Sequence, residues 1–193
     1  FGARPPNYLE VFGRGIDPAV AIYWTGEEVC SAEISPGHLA DVTQRLGRMP
    51  ALWDNYPVND GPRMAQYLHL RGFTGRSAAA GKLITHHAIN PMSQPHLGCI
   101  PALTLPMLYR QGGDYCYGRA FLEAATKAVG LDLAAMLHAD MLALCDSGLD
   151  RLSEARKAKL AVRYTALDHP AAREVVDWLN GGYAITGEML QTQ

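Results

Sequence analysis

The residues best equipped for chemistry lie in Trp53-Asp54-Asn55-Tyr56-Pro57-Val58-Asn59-Asp60-Gly61, where the apolar run Ala51-Leu52-Trp53 breaks into carboxylates, carboxamides and aromatic rings. Asp, Asn and Gly are poor strand formers, so the segment reads as a buried strand running out into a polar loop. In a parallel α/β sheet or barrel, the loops after the strand C-termini hold the ligand. Carboxylate and amide side chains bond hydroxyl groups while an aromatic ring covers the apolar face of a pyranose, so this grouping suits a sugar. A ligand-free turn rich in Asn and Asp is the simpler alternative.

Three strand–loop–helix units position these residues. Ala19 to Trp24 is almost continuously apolar, as expected of a strand buried on both faces of a parallel sheet, and it ends at Thr25-Gly26-Glu27-Glu28. Ser35 is placed to cap a helix with Pro36 at its first position, Leu39, Val42 and Leu46 on one face and Gly47 closing it. The second strand is Ala51 to Asp54. A long loop then leads through Asp60-Gly61-Pro62 and Tyr67 to Arg76, followed by a short helix from Ser77 to Leu83. The third strand, Ile84 to Ile89, enters Asn90-Pro91-Met92, and Pro101 starts a helix to about Tyr109 that Pro106 should bend.

The order β, polar loop, α marks a parallel α/β arrangement. A closed (β/α)8 barrel needs about eight such units, so this chain supplies at most the last part of one. Beyond Gly112 the pattern is helical alone, with helices expected over Tyr117–Val129, Leu131–Cys145, Ser153 to about Leu167, and Pro170–Leu179. The expected fold class is therefore α/β followed by an all-helical region, divided as residues 1–112 and 113–193.

Composition narrows the function classes. At 193 residues the chain suits one domain or a piece of a larger one. Its net charge of −2 offers no basic stripe for nucleic acid, and no uncharged apolar run has membrane-spanning length. Cys30, Cys99, Cys116 and Cys145 are widely spaced with no C-x-x-C pair, which gives no zinc pattern and favours buried free thiols over disulfides. His86, His87 and His96 do not make a metal site either, since adjacent strand residues point to opposite faces.

Trp24-Thr25-Gly26, then Leu52-Trp53-Asp54-Asn55-Tyr56-Pro57-Val58-Asn59-Asp60, then Phe73-Thr74-Gly75-Arg76, then Asn90-Pro91-Met92 occur in this order. The ordered set resembles the C-terminal half of the catalytic domain of the β-N-acetylglucosaminidases called O-GlcNAcases (glycoside hydrolase family 84, with hyaluronidase-like members). It covers roughly Ala19 to Tyr109, and the later helices resemble the family's post-barrel helical domain less specifically. The resemblance implies a (β/α)8 barrel of which these are the last three units, and cleavage of terminal β-linked N-acetylglucosamine with retention. The substrate's own acetamide oxygen would form an oxazoline, an exception to the two-carboxylate nucleophile scheme. Two adjacent aspartates of the family orient the acetamide and serve as acid and base. No Asp-Asp pair occurs in this sequence, so that pair and the N-terminal half of the barrel are expected upstream, and this chain alone is expected to be inactive.

Carried over residue by residue, Asp60 resembles the aspartate receiving the sugar's 4- and 6-hydroxyls, and Asn90 the asparagine on a ring hydroxyl. Asn55 resembles the amide near the anomeric centre, and Trp53 the ring lining the acetamide pocket. Thr25 and Val29 match small residues of that pocket. No cofactor or metal is implied, and the partner is an N-acetylglucosamine-bearing glycan or glycoprotein. A non-catalytic carbohydrate-binding or interaction module derived from such a barrel is the alternative. Thr25, Trp53, Asn55, Asp60 and Asn90 should share one end of the sheet, and the isolated chain should be poorly soluble because its sheet edge lacks cover. Asp54 should project opposite Trp53 and Asn55 into a structural ion pair. Arg71 and Arg76 should bond loop carbonyls and carboxylates, and Trp178 should be core. Arg156, Lys157, Lys159 and Arg163 read as a solvated helix face.

Overall fold

The computed structural model describes residues 5–185, which divide into two compact units. The first comprises the chain up to Asn55, Thr74–Asn90 and Leu108–Tyr115; the second comprises Tyr56–Phe73, Pro91–Met107 and the chain from Cys116 on.

The first unit is built on a three-stranded parallel sheet in the order β1-β2-β3, with β1 Tyr23–Trp24, β2 Ala51–Asp54 and β3 His87–Ile89. Tyr23 pairs with Ala51, Leu52 with His87, and Asp54 with Ile89. On the sheet face carrying Trp24 and Leu52 lie Ile34, Leu39, Ala80 and Ile84, which form a buried apolar cluster with them. Leu39 belongs to α2, Pro36–Leu46, which forms as its sequence dictates: the Ser35 hydroxyl accepts from the His38 N–H at 3.2 Å, Pro36 takes the first turn and Gly47 closes it at φ 69°. Ser35→Ala is expected to cost about 1 kcal/mol, the usual worth of such a cap, and urea unfolding of the two proteins measures it. Preceding β1, α1, Tyr8–Gly15, packs Leu9 with Ile22, Val42 and Leu46. The Arg48 guanidinium satisfies the end of this helix, donating to the carbonyls of Gly13 at 2.6 Å and Ile16 at 2.7 Å.

Two strands are shorter than their apolar runs. Ala19 to Ala21 lie exposed outside β1, and Tyr23 is 48% exposed, so the expectation of a strand buried on both faces fails. β1 is an edge of this sheet, and on the face that carries Tyr23 the Trp53 ring is likewise 43% exposed. The third strand likewise begins at His87 rather than Ile84.

The second unit is helical: residues of α3 (Pro95–Gln111) up to Met107, then α4 (Tyr117–Val129), α5 (Leu131–Ala139), α6 (Glu154–Thr165) and α7 (Pro170–Leu179). α3 begins at Pro95 rather than Pro101 because its cap is supplied from far along the chain. The buried Glu174 carboxylate of α7 accepts the N–H groups of His96 at 2.9 Å and Leu97 at 2.8 Å, where the helix dipole favours an anion. α5 ends earlier than its apolar spacing suggests, and Leu142–Ser147 winds as a π-helical turn. At the break sits buried Asp140, bonded by Arg163 at 2.9 and 3.0 Å and by the Tyr164 hydroxyl at 3.3 Å. Arg163 and, at 3.8 Å, Arg156 thus serve a buried carboxylate instead of a purely solvated face. Trp178 is fully buried as expected, its indole donating to the Ala65 carbonyl at 3.0 Å. The four cysteines form no disulfide, but Cys30, Cys99 and Cys116 are exposed, against the expectation of burial. Only Cys145 is half-buried, and burial pushes its thiol up to about 11.

Candidate active site

Parallel pairing brings the C-terminal ends of all three strands of the first unit to one side of its sheet, so Thr25, Asn55 and Asn90, each following a strand, emerge there. Strand alternation then sorts the side chains. Tyr23, Trp53 and His86 lie on the open face, while Trp24, Leu52, Asp54 and His87 lie on the face that packs against α2 and the short helix Ala78–Lys82.

Asn55 is the hub of the open face. Its carbonyl oxygen accepts from the Trp53 indole N–H at 3.0 Å and from the Asn90 amide at 3.1 Å, and its own amide donates to the Val29 carbonyl at 2.7 Å. These bonds occupy both lone pairs of the Asn55 oxygen and one of its two N–H groups. Among the described residues, one Asn55 N–H and the Asn90 side-chain oxygen make no further hydrogen bond, and such groups complement an acetamide or a hydroxyl. The Trp53 ring is 43% exposed and packs edge-on to Tyr23, with centroids 5.9 Å apart and planes at 84°. Thr25 donates its hydroxyl to the Glu28 carbonyl at 3.0 Å and so shapes the loop after β1. Ser31 clamps the same loop, accepting from the Glu28 N–H and donating to its carbonyl, both at 3.0 Å. Gly26, at φ 100°, is required here, since a Cβ would stand 2.2 Å from the Ser31 hydroxyl. Val29 contributes its backbone to Asn55, and its side chain is exposed.

Behind this face Asp54 is fully buried and held bidentately by Arg76, with both nitrogens at 2.7 Å, and by His87 Nε2 at 3.0 Å. Burial alone would raise its carboxyl, but the hydrogen bonds from Arg76 and His87 outweigh that and hold it below the ordinary 3.8. An ionised carboxylate only accepts, so His87 carries its proton on Nε2. Its Nδ1 meets the Tyr109 hydroxyl at 2.7 Å, a phenol that burial first, and the Asp54 charge second, push up to about 12. Arg76 also donates to the Ser31 and Ala32 carbonyls at 2.9 and 2.7 Å, tying β2 to the loop after β1. Gly75 allows this approach: at φ 67°, any Cβ would fall 2.1 Å from the Ala32 oxygen. Asp54 and Arg76 therefore hold the structural roles expected of them.

Asp60 belongs to the second unit and is exposed. The loop that carries it is anchored by buried Asn59, whose amide donates to the Tyr67 carbonyl at 3.1 Å and Gln94 Oε1 at 2.9 Å and whose oxygen accepts the Ser93 N–H at 2.9 Å. His69 supports the same loop, bonding the Pro57 carbonyl through Nδ1 at 3.1 Å, and burial lowers its pKa. Arg71 pairs with Asp146, a carboxylate as expected.

Tyr23 was not singled out from sequence, and His86 was weighed only as a metal ligand. They are joined at 2.8 Å and share the face of Trp53. The signal was present: Tyr23 lies two residues before Thr25 and His86 four before Asn90, but the alternation becomes informative only once the register is known. Among the described residues no cluster of His, Cys, Asp and Glu could hold a metal ion.

Residues 1–145 match the beta-N-acetylglucosaminidase (NAGidase) family. Protein O-GlcNAcase of Rattus norvegicus and of Mus musculus are each 28% identical over 103 residues, which is 53% of this chain and 11% of each relative. An aspartate-to-asparagine mutant of the O-GlcNAc hydrolase of Thermobaculum terrenum superposes with a TM-score of 0.72 at 25% identity, covering 95% of this chain and 46% of that one. The chain therefore spans less than half of the solved hydrolase and about a tenth of the curated relatives. With the family matched over residues 1–145 of 193, the chain belongs to the beta-N-acetylglucosaminidase family of glycoside hydrolases.

Proposed function

We propose that this chain is the C-terminal part of a retaining β-N-acetylglucosaminidase that removes terminal β-linked N-acetylglucosamine from modified proteins. The single observation that carries the reading is the Asn55 hub, in which Trp53, Asn90 and the Val29 carbonyl converge on one carboxamide beside the ends of three parallel strands. In this reading residues 1–112 are the last three units of a (β/α)8 barrel, and 113–193 a post-barrel helical region. The uncovered face with Tyr23 and Trp53 lines the barrel interior, and the N-terminal strands close it.

The chemistry assigned to these residues is the one the family resemblance implies, and their side-chain groups suit it. The free Asn55 N–H holds the acetamide or the anomeric region, Trp53 covers the acetamide methyl, and Thr25 and Val29 complete that pocket. Asn90 accepts from a ring hydroxyl, and Asp60 accepts two hydroxyls at once. The acetamide oxygen attacks the anomeric carbon, and an aspartate pair upstream of this chain orients the acetamide and moves the proton. The experiment that tests the reading is NMR of the reaction of the full-length protein with an aryl β-N-acetylglucosaminide. The β-anomer of N-acetylglucosamine should appear first, and turnover should fall steeply as fluorine replaces hydrogen in the acetyl group and weakens its oxygen as a nucleophile. First appearance of the α-anomer, or indifference to fluorination, rules out the oxazoline route.

A further inference from the structure

We propose that the second unit carries a separate binding site for a neutral saccharide, formed where the loop at Arg71 meets α4, α5 and the π-helical turn after α5. A cavity of about 450 Å³ opens there, inside the range of about 300–1,000 Å³ typical of small-molecule sites. Its floor is Phe121, buried and stacked on His138 with centroids 6.1 Å apart and planes at 28°. Tyr117, 48% exposed, and Leu142, 70% exposed, form its apolar mouth. Its polar wall is the Arg71–Asp146 ion pair, whose side chains are 42% and 41% exposed and so keep outer donors and acceptors within reach of a ligand. The loop itself is held, since the Tyr56 hydroxyl donates to the Arg71 carbonyl at 2.6 Å.

These features select the ligand class. A guanidinium locked against a carboxylate presents donors beside acceptors, which suits adjacent ring hydroxyls that each accept and donate. The paired charges leave no net attraction for an ion: a phosphate or carboxylate would meet Asp146, and an ammonium group would meet Arg71. The exposed tyrosine ring supplies the apolar surface against which a pyranose face packs. The site uses none of the residues assigned to hydrolysis, so it stands independently of that assignment.

Calorimetric titration of the full-length protein with N-acetylglucosamine and with N,N′-diacetylchitobiose tests the proposal, using an Asp60→Ala background to weaken the hydrolytic site. Saturable binding should persist in that background and weaken at least about tenfold on adding Tyr117→Ala or Arg71→Ala, the worth of one stacked ring or one charged hydrogen bond. Glucosamine and glucuronate, charged analogues, should bind more weakly than the neutral sugars. Thermal unfolding verifies each variant, and Leu142→Trp, which fills the mouth from an exposed position, should give the same loss should Tyr117→Ala not fold. Absence of saturable sugar binding in the Asp60→Ala background overturns the proposal. So does binding untouched by the pocket variants, or Tyr117-dependent binding of an unglycosylated peptide in place of the sugars.

Discussion

Arg76→Ala is expected to destabilise the protein by about 3–5 kcal/mol, because it strands a buried carboxylate. Asp54 is fully buried and takes two of its hydrogen bonds from Arg76. Among the described residues only the His87 side chain would remain bonded to it. The substitution also frees the Ser31 and Ala32 carbonyls, loosening the loop that precedes α2. Urea unfolding of the two proteins measures the loss, and a change below about 1 kcal/mol would mean that the pair is solvated. A double replacement of Asp54 and Arg76 by apolar residues of similar size should cost less than Arg76→Ala alone, since nothing charged is then left buried.

The pH dependence follows from the same pair. The Asp54 pKa in the folded protein lies below its ordinary 3.8, so its stabilising contribution is complete above 3.8 and is lost as pH falls through the folded value. Without Arg76 the opposing influence of burial gains weight and the folded value rises. The deficit of Arg76→Ala relative to the natural protein should therefore shrink as pH falls through 3.8, which unfolding at a series of acidic pH values would show.

Asp60→Ala in the full-length protein should lower kcat/KM for an aryl β-N-acetylglucosaminide by about tenfold to a hundredfold, the consequence of leaving sugar hydroxyls without a charged acceptor. The structure separates this effect from unfolding. Asp60 is exposed, and its loop is fixed by the neighbouring Asn59 through bonds to Tyr67, Gln94 and Ser93. Asp60→Ala should keep the thermal transition of the parent, whereas Asn59→Ala should lower stability and activity alike. Asp54→Asn should disturb folding before catalysis, since its side chain points away from the open face of the sheet. Near-normal kcat/KM in a folded Asp60→Ala protein would remove Asp60 from the site and weaken the case for the sugar-binding wall.

Local rules were enough for α2, where Ser35, Pro36 and Gly47 set both ends, and for β2, where four residues of apolar pattern stop at a polar loop. They were enough for α4 and α7 and for the buried Trp178. The division of labour between Asp54 and Asn55 was also legible, because neighbouring strand residues must face opposite ways. The strand lengths at Tyr23 and His87 were decided by tertiary structure, since an apolar run becomes strand only where a neighbouring strand pairs with it. The start of α3 was decided by Glu174, a cap from a helix far along the chain, and the exposure of three cysteines by which surfaces the neighbouring segments leave open. The Asn55 hub, finally, joins residues from three separate loops. Sequence order carries the amide and indole groups of such a site, but hydrogen bonds act over about 3 Å, and only strand pairing brings those loops within that reach.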